Sequence, residues 1–139
     1  MNIFLDANIL VSVLNQEYPV FTYSSRIMSL TEYKHIHLYT SPICLAIAYY
    51  FAEKKSGRNK AKYKIDLISR NVGIAGVDME TVQQALENKE VEDFEDGLEY
   101  YAALGVGCQF IISENPGDFY FSKIPVLGAQ QFLIHHVTI

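Results

Sequence analysis

The stretch DFEDGLEYYAALGVGCQFIISENPGDF, residues 93–119, contains a complete helix, strand and turn in that order. Asp93 is a suitable N-cap for the segment FEDGLEYYAALG, and the helix is expected to end within Gly105–Gly107. Cys108–Ile112 is a short apolar run, as expected for a parallel strand that is buried on both faces. Ser113–Asp118 is a dense cluster of turn-forming residues. This stretch therefore predicts a helix that leads into an inner strand of an α/β sheet.

The same alternation of helices and short strands runs outward from this stretch along the chain. Further strands are predicted at Asn2–Leu5, His35–Thr40, Val72–Val77 and around Pro125–Leu127. Further helices are predicted from an Asn8 cap to Leu14, at Tyr18–Tyr33, from a Ser41 cap to Gly57, at Asn59–Arg70, from an Asp78 cap to Glu87 and at Gly128–Leu133, with an extended end at His135–Ile139. This pattern predicts one three-layer α/β/α domain over residues 1–139, with a central parallel sheet of four to five strands.

The composition limits the classes of protein that fit. Half of the 139 residues are hydrophobic and 19% are charged, so a packed core is expected. No apolar run approaches the roughly 20 residues of a membrane span, and the start MNIFLDANIL lacks the basic region of a signal peptide, so we expect a cytoplasmic protein. The excess of apolar and aromatic residues predicts a homodimer or larger assembly.

Polar side chains follow the predicted strands where functional groups gather in parallel α/β sheets. Asp6 and Asn8 follow the first strand, and Asn115 and Asp118 follow the strand at Cys108–Ile112. Carboxylates that meet at one edge repel each other unless a cation lies among them. Oxygen ligands without histidine or thiolate favour Mg²⁺ or Mn²⁺, which points towards phosphoester chemistry.

Asp93 and Asp96 are three residues apart, so both can project from one face of their helix. Asp93 has a simpler explanation as a helix cap, and Asp96 lies in an acid-rich stretch that could be a solvated face. Asn115 and Asp118 could also stabilise their turn through local backbone hydrogen bonds. Each of these residues alone leaves both explanations open.

Four segments together resemble one known family. FLDANIL, residues 4–10, resembles the FLDTNhL start of PIN-domain proteins, where h is an apolar residue. Residues 93–119 resemble the DFEDAhQ…A…G…hhTRNPKDF block of that family. KIPVLGAQQFL, residues 123–133, is similar to its closing strand and helix, and SPICLAIAYYFAEKK, residues 41–55, matches in position and character.

The resemblance implies a PIN fold in which clustered acids bind Mg²⁺ or Mn²⁺ and cleave RNA. Such proteins are often the toxin half of a bacterial toxin–antitoxin pair of the VapC type, so RNA and an antitoxin protein are the implied partners. The implied catalytic and metal-binding acids are Asp6, Asp96 and Asp118. The implied supporting residues are Asn8, Asn115 and the additional acid Asp93.

Two positions depart from the family pattern. Ile47 stands where many catalytic members have glutamate, and Glu53 lies nearly two helical turns farther on, too far to replace it. Ala7 replaces the usual threonine or serine after the first acid. An alternative to the nuclease is therefore a degenerate PIN domain that binds RNA or a protein without cutting.

A basic cluster offers a route for nucleic acid despite the net charge of −5. The proposed RNA-binding residues are Lys54, Lys55, Arg58 and Lys60, with Lys62 and Lys64 beyond them. The alternative is an ordinary solvated pair of helices. A phosphoaspartyl phosphatase of the haloacid dehalogenase type is disfavoured, because such enzymes need a lysine before the last acidic loop and Lys123 follows Asp118.

Overall fold

A computed structural model describes residues 1–137 and contains a five-stranded sheet. The strands are β1 (Asn2–Leu5), β2 (His37–Thr40), β3 (Gly73–Ile74), β4 (Phe110–Ile112) and β5 (Val126–Leu127). Their order across the sheet is β3-β2-β1-β4-β5, and every neighbouring pair is parallel. This order confirms the predicted parallel α/β sheet.

Seven α-helices flank the sheet in the described part of the chain. They are α1 (Ala7–Leu14), α2 (Val20–Ser29), α3 (Pro42–Ser56), α4 (Arg58–Asn71), α5 (Met79–Glu87), α6 (Phe94–Gly105) and α7 (Ala129–His136). Short 3-10 helices lie at Leu30–Glu32 and Pro116–Phe119. Helix α3 packs against both α1 and α4, and α5 packs against α6. The arrangement confirms the three-layer α/β/α architecture. Over residues 1–137, no helix combines the length and apolar character needed to cross a bilayer.

The central strands are apolar because helices cover both of their faces. Ile3, Phe4 and Leu5 of β1 have no exposed surface, and neither have Ile111 and Ile112 of β4. Strands paired on both sides and covered on both faces present no edge to water, so an uninterrupted apolar run is stable there. The polar residues Asp6 and Ser113, which follow these two strands, therefore mark the carboxyl end of the buried sheet.

Polar caps begin the helices that border the carboxyl end of the sheet. Ser41 Oγ accepts a hydrogen bond from Cys44 N at 3.2 Å, and Pro42 occupies the first turn of α3, as predicted. Gly57 ends α3 with φ at +85°, a conformation that favours glycine. The predicted Asn8 cap of α1 is wrong: the cap is Asp6, whose carboxylate accepts from Ala7 N.

Other predicted boundaries change where tertiary packing decides them. The strand predicted at Val72–Val77 contains only Gly73–Ile74, at the sheet edge. The extended segment predicted from His135 is wrong, because α7 continues to His136, whose ring packs 4.5 Å from that of Phe110. Residues 138–139 of that segment lie outside the described part of the chain.

Strands β1 and β4 lie side by side at the centre of the sheet, although a long stretch of chain separates them. The chain builds β2 and β3 on one side of β1, and β4 and β5 on the other. Connections that leave neighbouring strands in opposite directions open a crevice at the carboxyl ends. Asp6 follows β1 and Ser113 follows β4, so both residues border this crevice.

Candidate metal centre

A cleft of about 380 Å³ lies at the carboxyl ends of β1 and β4 and is called the acid pocket below. Six carboxylates line it: Asp6, Glu17, Glu95, Asp96, Glu99 and Asp118. Asn8 and Asn115 also line it, whereas no lysine, arginine or histidine does so among the residues described. The structure thus brings the three predicted acids and both predicted asparagines into one pocket.

Asp6 is held rigidly at the base of the acid pocket. Its side chain is 8% exposed, and Oδ1 accepts from Ala7 N at 2.7 Å. Oδ2 accepts from the hydroxyl of Ser113 at 2.7 Å and from Asn8 Nδ2 at 3.3 Å. Its backbone N–H donates to Ile112 O at 3.0 Å, which continues the ladder between the two central strands. Backbone and side chain together therefore fix the position of this carboxylate.

Ser113 and Asn8 join the two loops that form the base of the pocket. Asn8 Oδ1 accepts from Glu114 N at 3.1 Å, and Ser113 Oγ accepts from Asn115 N at 3.0 Å. Ser113 was missed in the sequence, where it was counted only as a turn residue. The available signal was its place directly after β4, where functional side chains gather.

Asp96 lies in the first turn of α6, close enough to the other acids for their charges to affect its pKa. Burial, together with the negative charges of Asp93, Asp6 and Asp118, raises its pKa to about 7. A carboxyl group titrating near neutrality shows that ionising the whole cluster is unfavourable. A bound cation would relieve this repulsion.

Asp118 and Asn115 come from the 3-10 helix after β4. Pro116 begins this helix, and Asp118 N donates to Asn115 O at 3.0 Å. Both side chains are exposed at the mouth of the pocket. They are thus positioned by a local turn, and the site uses them from its open side.

Asp93, the predicted additional acid, does not line the acid pocket. Its carboxylate accepts from Glu95 N at 3.0 Å and from Asp96 N at 3.4 Å. Asp93 is therefore the N-cap of α6, which was the simpler of its two predicted roles. Its charge still raises the pKa of Asp96. Asp93 therefore affects the pocket through its electrostatic effect on Asp96, which lies in the helix that Asp93 caps.

Glu99 is a buried acid of the pocket that the sequence reading missed. Its side chain is 1% exposed, and the Cys44 thiol donates to its Oε1 at 2.9 Å. Burial and the neighbouring Asp6 raise the pKa of Glu99 to about 10. Burial and Glu99 likewise hold the pKa of Cys44 well above its usual value. The available signal was a single acid inside the apolar part of α6.

Helix α3 forms an apolar wall of the acid pocket. Ile47 and Phe51 line it one helical turn apart, so no carboxylate occupies the position of Ile47. Glu53 is exposed, accepts a hydrogen bond from the hydroxyl of Tyr49 at 3.1 Å, and is absent from the pocket lining. Ala7 leaves no hydroxyl beside Asp6, but Ser113 supplies one from the other loop.

The donor atoms of the pocket fit a hard divalent cation. Ligand atoms of Asp6, Cys44 and Glu99 lie within 4.8 Å of one another, and so do those of Glu95, Asp96 and Glu99. Carboxylate oxygens predominate in both groups, as Mg²⁺ and Mn²⁺ prefer. Asp118 belongs to neither group and so lies farther from the buried acids.

The predicted RNA-binding residues lie outside the acid pocket, at the junction of α3 and α4. Lys54, Lys55, Arg58 and Lys60 are all exposed. The ammonium of Lys54 stands 5.1 Å from the ring centre of Tyr50, and that of Lys55 donates to the Asn15 carbonyl. Lys54 is seven residues beyond Ile47 on α3, or roughly 10 Å along the helix. The cations thus follow the apolar wall.

Comparison with known proteins agrees with this geometry. The family model of the PIN domain matches residues 2–116. The chain is 28% identical over 134 residues to Ribonuclease VapC1 of Aquifex aeolicus (strain VF5), covering 94% of this chain and 92% of that protein. It is similar in structure to VapBC2 from Rickettsia felis bound to a DNA fragment from their promoter (TM-score 0.69, 19% identity, 91% and 97% coverage). It is also similar to VapC20 of Mycobacterium tuberculosis, a sarcin–ricin loop cleaving toxin (TM-score 0.62, 20% identity, 78% and 86% coverage). This chain belongs to the PIN domain family.

Proposed function

We propose that this protein is an endoribonuclease that hydrolyses RNA with Mg²⁺ or Mn²⁺ held by Asp6, Asp96 and Asp118. The observation that carries the proposal is the acid pocket itself, in which six carboxylates converge and no cationic side chain of the described residues takes part. A bound divalent cation would relieve the repulsion among these carboxylates. The relatives that are ribonucleases or cleave the sarcin–ricin loop support RNA as the substrate.

The residues of the pocket divide the task between them. Asp6 is a preorganised ligand, because Ala7 N, Ser113 and Asn8 already hold both of its oxygens. Asn8 and Asn115 orient ligands and water at the two loops. A divalent ion held there would supply a water molecule of lowered pKa and positive charge opposite the scissile phosphate. Asp6, Asp96 and Asp118 would hold that ion directly or through waters.

RNA is proposed to reach the pocket along α3. Lys54, Lys55, Arg58 and Lys60 hold the sugar–phosphate backbone, and the apolar wall of Ile47 and Phe51 leads from these cations to the acids. The separation of roughly 10 Å along the helix supports contacts between these cations and nucleotides next to the cleaved one. This arrangement keeps the cations away from the acids, with which they would otherwise pair.

The test is cleavage of a structured RNA by the purified protein in Mn²⁺. We expect cleavage that EDTA abolishes and that Asp6→Asn removes. Asp66→Asn is the matched control, because Asp66 is exposed on α4 and pairs with Arg70 at 3.0 Å, outside the acid pocket. Retained cleavage in a well-folded Asp6→Asn variant would contradict the proposed site.

We further propose that the protein is the toxin of a toxin–antitoxin pair and acts in the cytoplasm. Its structural relative VapBC2 is such a two-protein assembly bound to promoter DNA. Expression of the protein in bacteria should arrest growth, and co-expression of a small protein encoded beside its gene should relieve the arrest. Growth arrest by Asp6→Asn equal to that by the native protein would contradict this role.

A homo-oligomer is also proposed, supported by exposed apolar side chains. Met79 and Leu86 are seven residues apart on one face of α5 and are 76% and 67% exposed. Burial of such a face in a second copy would remove this apolar surface from water. Sedimentation should give a dimer or larger species at micromolar concentration, and a monomer alone would contradict the proposal.

The second candidate function is a PIN domain that binds RNA or a protein without cutting. Ile47 favours it, because an isoleucine lines the pocket where an acid would strengthen metal binding. Calorimetric titration with Mn²⁺ separates the two functions. A folded protein that binds structured RNA but neither binds Mn²⁺ nor cleaves would be a binding module.

A further inference from the structure

Glu99 occupies a central place among the ligand atoms of the acid pocket. It belongs both to the group formed with Asp6 and Cys44 and to the group formed with Glu95 and Asp96. Each group spans no more than 4.8 Å between ligand atoms. The carboxylate of Glu99 therefore lies close both to Asp6, which follows β1, and to Asp96, in the first turn of α6.

No cationic side chain balances this buried carboxylate. The ion pair found over residues 1–137 joins Arg70 to Asp66, on α4. The hydrogen-bond donor to Glu99 is the Cys44 thiol, which is neutral. A carboxyl group with 1% exposure whose ligand atom lies within 4.8 Å of one of Asp6 can share a bound cation with that residue. Its surroundings therefore suit a metal ligand better than a structural acid.

Of the two helices α3 and α6, α6 is the one that presents carboxylates to the pocket. Asp96 and Glu99 are three residues apart, so they project from the same face of α6. The opposite wall, formed by α3, offers only Ile47 and Phe51. We propose that Glu99 is a further carboxylate ligand of the metal site and supplies from α6 the charge that Ile47 does not supply from α3. This inference rests on the metal site of the proposed function.

Cys44 acts in this arrangement as a positioning residue. Its backbone N–H donates to the cap oxygen of Ser41, which anchors the first turn of α3, and its thiol then donates to Glu99 Oε1 at 2.9 Å. Both α3 and α6 thereby contribute to the placement of Glu99. The apolar helix thus takes part in the metal site through a hydrogen bond instead of a charge.

The test is the affinity for Mn²⁺ alone, measured by isothermal titration calorimetry on the full-length protein. Glu99→Gln keeps the shape of the side chain and its acceptor oxygen for Cys44. We expect it to weaken Mn²⁺ binding roughly tenfold or more, a loss at least as large as that from changing partners that only orient ligands. Glu92→Gln is the matched control, because it removes the same charge from an exposed residue just before α6 that does not line the acid pocket. We expect a change of less than about threefold for this variant.

The outcomes separate the inference from the function on which it rests. If the native protein binds no Mn²⁺, the proposed metal site itself fails. If the native protein binds Mn²⁺, Asp6→Asn does not, and Glu99→Gln binds as well as the native protein, this inference alone is overturned. Equal losses in Glu99→Gln and Glu92→Gln would also overturn it, because they would show a general effect of charge.

A second measurement covers the case in which Glu99→Gln fails to fold. In native protein labelled with ¹³C at the glutamate side-chain carboxyl groups, Mg²⁺ should shift the Glu99 resonance at the first equivalents. The resonances of Glu53 and Glu90, which lie outside the acid pocket, should remain in place. A Glu99 resonance that does not respond while Mg²⁺ binds would overturn the inference.

Discussion

Helices α3 and α6 both border the acid pocket but present different chemistry to it. Helix α6 carries Glu95, Asp96 and Glu99 on two successive turns, whereas α3 presents Ile47 and Phe51. Carboxylates and apolar side chains are therefore contributed to the pocket by different helices. The charge of the pocket therefore comes from one helix, from the loops after β1 and β4, and from Glu17 between α1 and α2.

The same two helices also differ in where their charges lie along the axis. Glu95 and Asp96 lie in the first turn of α6, where the positive end of the helix dipole favours negative charge. The lysines of α3 lie in its last turn, at Lys54 and Lys55, where the dipole favours cations. Each helix thus places its charge at the end that stabilises it, and the two charges remain apart.

The largest effect is expected from neutralising Asp96 in the first turn of α6. In Asp96→Asn we expect RNA cleavage to fall by more than about 100-fold, beyond the effect of partners that only orient metal ligands. Its melting temperature in EDTA at pH 8 should stay the same or rise, because a carboxylate repelled by its neighbours is gone. Cleavage and melting curves measure both effects, with Asp66→Asn as the control. A fall in melting temperature of several degrees would contradict the expected repulsion.

A carboxylate introduced on α3 tests whether this helix can also contribute to metal binding. Ile47→Glu should tighten Mn²⁺ binding by roughly tenfold, because it adds a carboxylate to the uncharged wall of the pocket. Ile47→Gln is the matched control for side-chain size without charge. Calorimetric titration of both variants decides the point. Equal affinities of the two would mean that α3 does not face the metal.

The cations at the end of α3 should affect the salt dependence of RNA binding. In an Asp6→Asn background, which allows binding to be measured without cleavage, changing both Lys54 and Lys55 to glutamine should flatten the plot of log affinity against log salt concentration. A decrease of about 0.7 in slope is expected for each single-strand phosphate contact that is lost. Lys89→Gln, on the connection between α5 and α6, should leave the slope unchanged. An unchanged slope in the double variant would place the RNA elsewhere.

The smallest expected effect is on stability as a function of pH. Burial and neighbouring charges raise the pKa of Asp96 from its usual 3.8 to about 7, and that of Glu99 from 4.5 to about 10. Between each pair of values the folded state binds a proton that the unfolded state has lost. Stability without metal must therefore fall as the pH rises through this interval.

Melting temperatures in EDTA at pH 5, 6, 7 and 8 measure this dependence. The melting temperature should decrease from pH 5 to pH 8, and Asp96→Asn should decrease less between pH 5 and pH 7. Saturating Mn²⁺ should reduce the decrease in the native protein, because binding to the folded state stabilises it. A melting temperature that rises over the interval without metal would contradict the sign of these shifts.

The sequence allowed Asp6, Asp96 and Asp118 to be singled out, because their places along the chain match those of the acids in the PIN-domain pattern. Asp6 follows an apolar strand, Asp118 lies in a turn after another, and Asp96 lies in the first turn of the helix between them. The Ser41 cap and Gly57 end of α3 were equally local signals. In these cases a few neighbouring residues determine the backbone conformation.

Glu99 and Ser113 could not be recognised in this way, because their roles depend on distant partners. Ser113 contacts Asp6 across 107 positions of the chain, and Cys44 contacts Glu99 across 55. The last helix shows the same limit: His135–Val137 is locally compatible with an extended chain, but α7 continues to His136, which packs against Phe110 and Phe132.

By itself, the sequence determined the order of strands and helices and the polar residues at their ends, since periodicity, caps and turns are local properties. Only the tertiary structure decided that β1 and β4 are neighbours, and therefore that Asp6, Ser113 and Glu99 meet. The physical reason is that burial and electrostatic repulsion belong to groups of side chains brought together by the sheet. No single segment of the chain contains them.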